Sequence, residues 1–155
     1  MKRCQRLLKC WPSTTSDYQG TSMGTWGTGP FDSDLAGDFT DGLRGLAPQQ
    51  IISALEGALR RVAESGPRLD SGDEAEAVAA AALVAAQIPG SKVVISTEDR
   101  PDEPLPQLPA SLHALAREAL HRVLGDGSEL AKGWVDNSDA TEWRQEVQLI
   151  LHALG

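Results

Sequence analysis

The chain has 155 residues, of which 41% are hydrophobic, and this is enough for one domain with a core of its own. Residues 23–155 hold 10 basic and 21 acidic side chains, which gives this part a net charge of −11. Such an acidic body repels phosphate backbones and anionic lipid headgroups, so we expect neither nucleic acid nor a membrane as partner. A basic protein surface or a metal ion fits this charge better.

The first 22 residues differ in character from the rest of the chain. They begin with a basic stretch and contain both cysteines, Cys4 and Cys10. Their apolar run is interrupted by Lys9, whereas an export signal needs roughly 7–15 apolar residues. We therefore expect residues 1–22 to be a disordered leader or the product of a misplaced start, residues 23–155 to form a single domain, and the protein to be cytoplasmic.

A glycine-rich segment opens the predicted domain. Its glycines run in the reverse order of the dinucleotide-binding fingerprint and have no strand before them, which argues against a phosphate site. The sequence instead predicts a structural motif in which the chain folds back and two aromatic residues anchor it in the core. The residues of this motif are Gly24, Trp26, Gly27, Gly29 and Phe31. Asp32 or Ser33 is expected to cap the helix that follows.

The first predicted helix carries two kinds of side chain at helical spacing. Apolar residues recur along one expected buried face, which comprises Leu35, Phe39, Leu43 and Leu46. On the opposite face, a column of carboxylates is formed by Asp34, Asp38 and Asp41, with Asp32 just upstream. This acidic column has three interpretations, namely a solvated surface, a docking patch for a basic partner, or an oxygen-ligand metal site.

The second and third predicted helices form the centre of the chain. The second begins at Pro48, buries a stripe that includes Leu55, and ends before Gly66. The third is expected to begin with a capping box made by Ser71 and Glu74. Its body is apolar on nearly every face, which predicts a helix surrounded by other helices.

The last third of the chain begins with a predicted proline-rich loop over residues 92–109. A fourth helix follows and ends at Gly125. One helical turn is expected after Ser128, and a fifth helix begins near Ser138. The buried stripe of the fifth helix comprises Trp143, Val147, Ile150, Leu151 and Leu154. The sequence as a whole therefore predicts an all-α fold, a compact bundle of about five helices with a proline-rich loop and a glycine-rich N-terminal segment.

Few residues outside the acidic column suggest a site. Trp134 has two open interpretations, a core residue or an exposed anchor for a partner. His113 and His121 are eight residues apart, too far along one helix to share an ion. No zincin motif, nucleophile elbow or phosphate-binding loop occurs in the chain, so we expect neither a metal nor a cofactor.

Three long stretches carry a family resemblance. "MGTWGTGPFDSDLAGDF" resembles the opening of the bacterial domain-of-unknown-function family numbered 4259, and "GDEAEAVAAAALVAA" and "LPASLHALAREALHRVLGDGSEL" are similar to its later parts. The resemblance covers nearly all of residues 23–155. This chain has glycine at position 127, where the resemblance leads us to expect asparagine. The resemblance implies no activity.

Two functions remain open at this point. The favoured hypothesis is a protein-binding module with a basic partner, of which an inhibitor or immunity-type protein is one instance. The alternative is a metal-dependent hydrolase in which Asp32, Asp34 or Asp38 acts with Asp73 or Glu74. Carboxylates that converge in a pocket would favour the hydrolase, and a convex acidic face would favour binding.

Overall fold

The computed structural model describes residues 28–95, 105–134 and 137–155, and these residues form six helices and no strand. The helices are α1 (Asp34–Gly42), α2 (Pro48–Ala63), α3 (Ser71–Ala86), α4 (Ala110–Val123), α5 (Glu129–Lys132) and α6 (Asn137–Ala153). The prediction of an all-α bundle is confirmed, and α5 is the single turn expected after Ser128. Residues 96–104 of the predicted proline-rich loop lie outside the described residues.

Helix α3 is the centre of the bundle. Every residue from Ala77 to Ala85 is at most 2% exposed, and the helix contacts each of the other five. Most of these residues are alanines, whose small side chains let neighbouring helices approach closely. The predicted burial of α3 on all sides is therefore confirmed.

Helices α2 and α4 pack against α3 and against each other. Their largest inward side chains are leucines, Leu55 and Leu59 on α2 and Leu112 and Leu120 on α4, all at most 1% exposed. Leu55 lies where the sequence placed it, in the middle of a buried stripe.

The buried face of α1 differs from the predicted one. Leu35 is 40% exposed, whereas the residues turned inward are small, namely Ala36, Gly37 and Thr40, followed by Leu43 just after the helix. Phe39 is half-buried. Because α1 packs against the alanine-rich surface of α3, small side chains fit this contact and the prediction for Leu35 is wrong.

The stripe on α6 is nearly as predicted. Trp143, Val147 and Ile150 are buried, and so is Leu154 just after the helix. Leu151 is only half-buried. An apolar stripe covers an arc of the helix surface, and only the residues in the middle of that arc are fully buried. Leu151 lies at the edge of the arc.

The N-terminus of α3 has a different cap from the one predicted. Asp70 is the N-cap, and its Oδ2 accepts a hydrogen bond from the backbone N of Asp73 at 3.2 Å. Glu74 is fully buried and reaches another helix, so the capping box of Ser71 and Glu74 is wrong. At α1, the predicted cap is confirmed, since Ser33 Oγ accepts from Ala36 N at 3.1 Å.

The connection between α4 and α5 is fastened to the connection between α2 and α3. Leu69 N donates to the carbonyl oxygen of Gly127 at 3.0 Å. A Cβ on Gly127 would lie 2.2 Å from the carbonyl oxygen of Pro67, a distance that real Cβ atoms essentially never show. Glycine at position 127, where the family resemblance led us to expect asparagine, therefore matches a close backbone approach in this chain.

Candidate functional site

A small cleft lies where the N-terminal segment meets α3, α5 and α6. Its volume is about 20 Å³. The lining residues are Gly29, Pro30, Asp32, Ser33, Ala75, Val78, Leu130, Trp134 and Trp143. Two predicted binding residues from distant parts of the sequence, Asp32 and Trp134, thus share one cleft.

Residues 28–33 form a tight turn on one side of this cleft. Asp32 N donates to the carbonyl oxygen of Gly29 at 3.2 Å, and Gly29 N donates back to Asp32 Oδ2 at 3.1 Å. A Cβ on Gly29 would lie 2.9 Å from that same carboxylate oxygen, so glycine suits the position. Phe31 is 5% exposed and anchors the turn in the core, as predicted. The other predicted members of this motif, Gly24, Trp26 and Gly27, lie outside the described residues.

The other side of the cleft is formed by two tryptophans. The rings of Trp134 and Trp143 have centroids 6.3 Å apart and are tilted by 41°, a separation typical of favourable aromatic pairs. Trp143 is 3% exposed, which confirms its predicted place in the core, whereas Trp134 is half-buried. The indole Nε1 of Trp134 is buried and has no hydrogen-bond acceptor among the described residues.

Trp134 follows α5, and α5 is fixed by a buried carboxylate of α3. Glu74 Oε2 accepts from Glu129 N at 3.0 Å and from Leu130 N at 2.9 Å, and Glu74 Oε1 accepts from the hydroxyl of Ser128. Ser128 Oγ in turn accepts from Ala131 N at 2.9 Å. The first-turn N–H groups of α5 are thereby satisfied without water.

The burial of Glu74 has an electrostatic consequence. Removal from water raises the pKa of the Glu74 carboxyl above its ordinary value, and hydrogen bonds from Ser128, Leu130 and Glu129 offset part of this rise. Nearby at the surface, Arg68 pairs with Glu129 at 2.8 Å and lowers the pKa of that carboxyl. Sequence reasoning missed this role of Glu74. The available signal was a run of acidic residues at the start of an apolar helix, but a capping box and the helix dipole explain that pattern equally well.

The acidic column lies on the outer face of α1, beside the cleft and not within it. Asp34, Asp38 and Asp41 are all exposed. Asp41 Oδ1 lies 3.6 Å from Arg44 Nε and forms an ion pair with it. Both side chains of this pair are more than 40% exposed. Asp32 and Trp134 thus line one cleft, whereas the other three aspartates are exposed on α1.

The carboxylates considered for a hydrolase have other partners. Asp73 lies 3.7 Å from Arg61, which also reaches Glu76 at 3.3 Å, and Glu74 is held by α5. Within the described ranges, no group of three His, Cys, Asp or Glu side chains could hold a metal ion. In the same ranges, no helix is both long enough and apolar enough to cross a membrane.

Comparison with known families covers the whole of this site. The family described as "Domain of unknown function (DUF4259)" matches residues 24–146, which include every residue that lines the cleft and all of the acidic column. The chain belongs to the DUF4259 family. The resemblance noted in the sequence is thereby confirmed, and the family description assigns no activity. No curated protein and no solved structure matches the chain.

Proposed function

We propose that this DUF4259 chain is a protein-binding module that meets a basic partner through the outer face of α1. The observation that carries the proposal is the orientation of this helix. It buries small residues and turns Asp34, Leu35 and Asp38 outward, although an inward Leu35 would have added apolar burial. The outer face therefore combines negative charge with an apolar side chain.

The net charge of −11 over residues 23–155 supports the same proposal. Arg60, Arg61 and Arg68 form ion pairs with carboxylates of elements other than α1. The arginine beside this helix is Arg44, which lies at its C-terminal end and pairs with Asp41. A negative surface of this kind speeds encounter with a positively charged partner and discriminates against acidic ones.

The exposed leucine adds an apolar contact to the charged surface. Leu35 is 40% exposed, and its Cδ1 lies close to Gly72 at the start of α3. Protein interfaces commonly place apolar contacts inside a polar rim. The partner that fits best presents lysine or arginine side chains around an apolar residue.

The cellular setting completes the proposal. We propose that the protein is bacterial, as its family resemblance implies, and cytoplasmic, with an inhibitor or immunity-type protein as one form such a module takes. The hydrolase alternative has no comparable support, because Asp73 and Glu74 already make the contacts described above and the aspartates of α1 face outward.

The test is affinity capture with the full chain immobilised. Extract of the native host is passed over three chains. They are wild type, the double variant Asp34→Asn with Asp38→Asn, and a charge-matched control, Glu118→Gln with Asp126→Asn. Both control residues are exposed and lie on and just after α4. We expect wild type and control to retain the same basic protein, and the α1 variant to lose most of it.

Two results would contradict the proposal. One is equal retention of the same proteins by all three chains, and the other is retention of no basic protein by wild type. Thermal melting with magnesium, calcium or manganese supplies a separate check, because an ion that binds only the native state raises its stability. A rise in melting temperature confined to wild type and absent from the α1 variant would favour a metal site instead.

A further inference from the structure

Residues 1–22 have the chemistry that the outer face of α1 fits. They contain four basic side chains and one acidic one, and all four basic ones lie within the first nine positions. Arg6 and Lys9 flank two leucines, Leu7 and Leu8. This segment therefore presents cations around apolar side chains, as the partner described above does.

The outer face of α1 offers the complement. Asp34 and Asp38 are exposed one helical turn apart, and Leu35 beside them is 40% exposed. Phe39, one turn after Leu35, is half-buried and continues the apolar edge of this face. A leucine seated on Leu35 removes apolar surface of both side chains from water, and cations beside it attract the two carboxylates. The face and the segment thus match in charge and in hydrophobicity.

The point at which the chain enters the described structure favours this face. Thr28 is the first described residue, and α1 begins at Asp34. The chain between Lys9 and Asp34 can extend to about 80 Å, whereas α1 is only about 13 Å long. The segment therefore reaches every part of the face, and its tether keeps it near α1 at an effective concentration on the order of millimolar.

We propose that residues 1–22 dock on the outer face of α1 of the same chain, with Arg6 and Lys9 toward the carboxylates and a leucine toward Leu35. The inference adopts the leader interpretation of residues 1–22, and segments predicted to be disordered order when they meet a complementary surface. It rests on the proposed function and adds its regulation, because the docked segment competes with the basic partner. Single exposed ion pairs are weak, so the contact is reversible and a tighter partner displaces the segment.

The first test is paramagnetic relaxation in the full chain with a spin label on Cys10. Both cysteines lie in residues 1–22, so Cys4→Ser leaves Cys10 as the labelling site. We expect the label to broaden the amide signals of Leu35 and Asp38 much more than that of Glu118, which is exposed on α4.

Variants of the α1 face separate docking from mere tethering. Asp34→Asn with Asp38→Asn should remove most of the broadening, because it removes the charges that hold the segment. Salt at about 1 M should do the same to wild type, since it screens those charges beyond about 3 Å. The charge-matched control Glu118→Gln with Asp126→Asn should keep the broadening. The dispersion of each amide spectrum verifies that the variants are folded.

The second test is the Kd of the captured basic protein for the full chain. Arg6→Gln with Lys9→Gln should tighten this Kd by about two-fold or more, the change expected when the segment occupies the face at least half of the time. The matched control is Arg117→Gln with Arg144→Gln, which removes two exposed cations of α4 and α6 and should leave the Kd unchanged.

Three results would overturn the inference. One is broadening at α1 that survives the loss of both aspartate charges. Another is broadening centred on α6 near Glu142, whose carboxylate accepts a hydrogen bond from Thr28 at 3.3 Å, and the third is a Kd unaffected by Arg6→Gln with Lys9→Gln. The proposed function fails separately. If wild type captures no basic protein while the broadening depends on Asp34 and Asp38, the contact between the segment and α1 stands without a competing partner.

Discussion

Helices α1 and α3 pack against each other, yet they contribute to the structure in opposite ways. The body of α3 is buried from Ala77 to Ala85, while α1 buries a few small residues and exposes Asp34 and Asp38 together with Leu35. The apolar residues in the body of α3 therefore lie in the core, whereas α1 has both a buried apolar residue, Ala36, and an exposed one, Leu35. The comparison teaches that the shape of a contact, and not only its hydrophobicity, decides which side chain turns inward.

The largest expected effect contrasts one leucine from each helix. Leu83→Ala in α3 should lower the free energy of unfolding by about 2–5 kcal/mol, because Leu83 is 0% exposed and its truncation leaves a cavity. Leu35→Ala in α1 should change it by at most about 0.5 kcal/mol, as surface substitutions do. Urea unfolding of both variants measures the difference, and equal losses would mean that Leu35 belongs to the core.

A second contrast uses two glycines. Gly127→Ala should destabilise the fold by about 1–3 kcal/mol, since the new Cβ meets the backbone oxygen of Pro67. Gly57→Ala on α2 should instead stabilise by about 0.4–1 kcal/mol, because its Cβ meets nothing within 4 Å and alanine restricts the unfolded chain. Thermal melting compares the two directly. A neutral Gly127→Ala would show that the two connections can move apart freely.

The third prediction concerns pH and Glu74. Because burial raises the native pKa of Glu74, the native state binds this proton more tightly than the unfolded chain does. The contribution of Glu74 to stability is therefore fully present below the ordinary glutamate pKa and is lost as the pH rises through the higher native pKa. Glu74→Gln should remove this dependence and be at least as stable as wild type at neutral pH.

The measurement is urea unfolding of wild type and Glu74→Gln over a series of pH values. Subtracting the two curves separates Glu74 from Glu129, whose pKa shifts in the opposite direction. Glu74→Ala is the matched control, and it should be clearly destabilised because Ser128 and two backbone N–H groups of α5 lose their acceptor. Stability of wild type that falls as Glu74 becomes protonated would contradict the account.

Much of the fold could be predicted from the sequence because it depends on local patterns. Apolar periodicity predicts the helices, and the density of alanine predicts the central place of α3. The serine at position 33 predicts the N-cap of α1. Local patterns do not specify which distant groups meet. The hydrogen bonds of Glu74 to α5, and the cleft shared by Asp32 and Trp134, depend on tertiary packing over 54 or more residues, and no spacing rule encodes them.

The smallest expected effect is on the stability of the acidic face. Asp34→Asn with Asp38→Asn should leave the free energy of unfolding within about 0.5 kcal/mol of wild type. Relief of the like-charge contact one turn apart is offset by loss of the favourable interaction of Asp34 with the helix dipole. Urea unfolding checks this, and a loss well above that range would assign the two aspartates to the fold and not to binding.

The measurement that tests the central claim most directly is the Kd of the captured basic protein for three chains, at low salt and at about 1 M salt. They are wild type, Asp34→Asn with Asp38→Asn, and the charge-matched control Glu118→Gln with Asp126→Asn. The account predicts weaker binding for the α1 variant alone, and a smaller difference at high salt because charges are then screened beyond about 3 Å. Equal weakening by both double variants, or no change in either, would contradict a binding role for the outer face of α1.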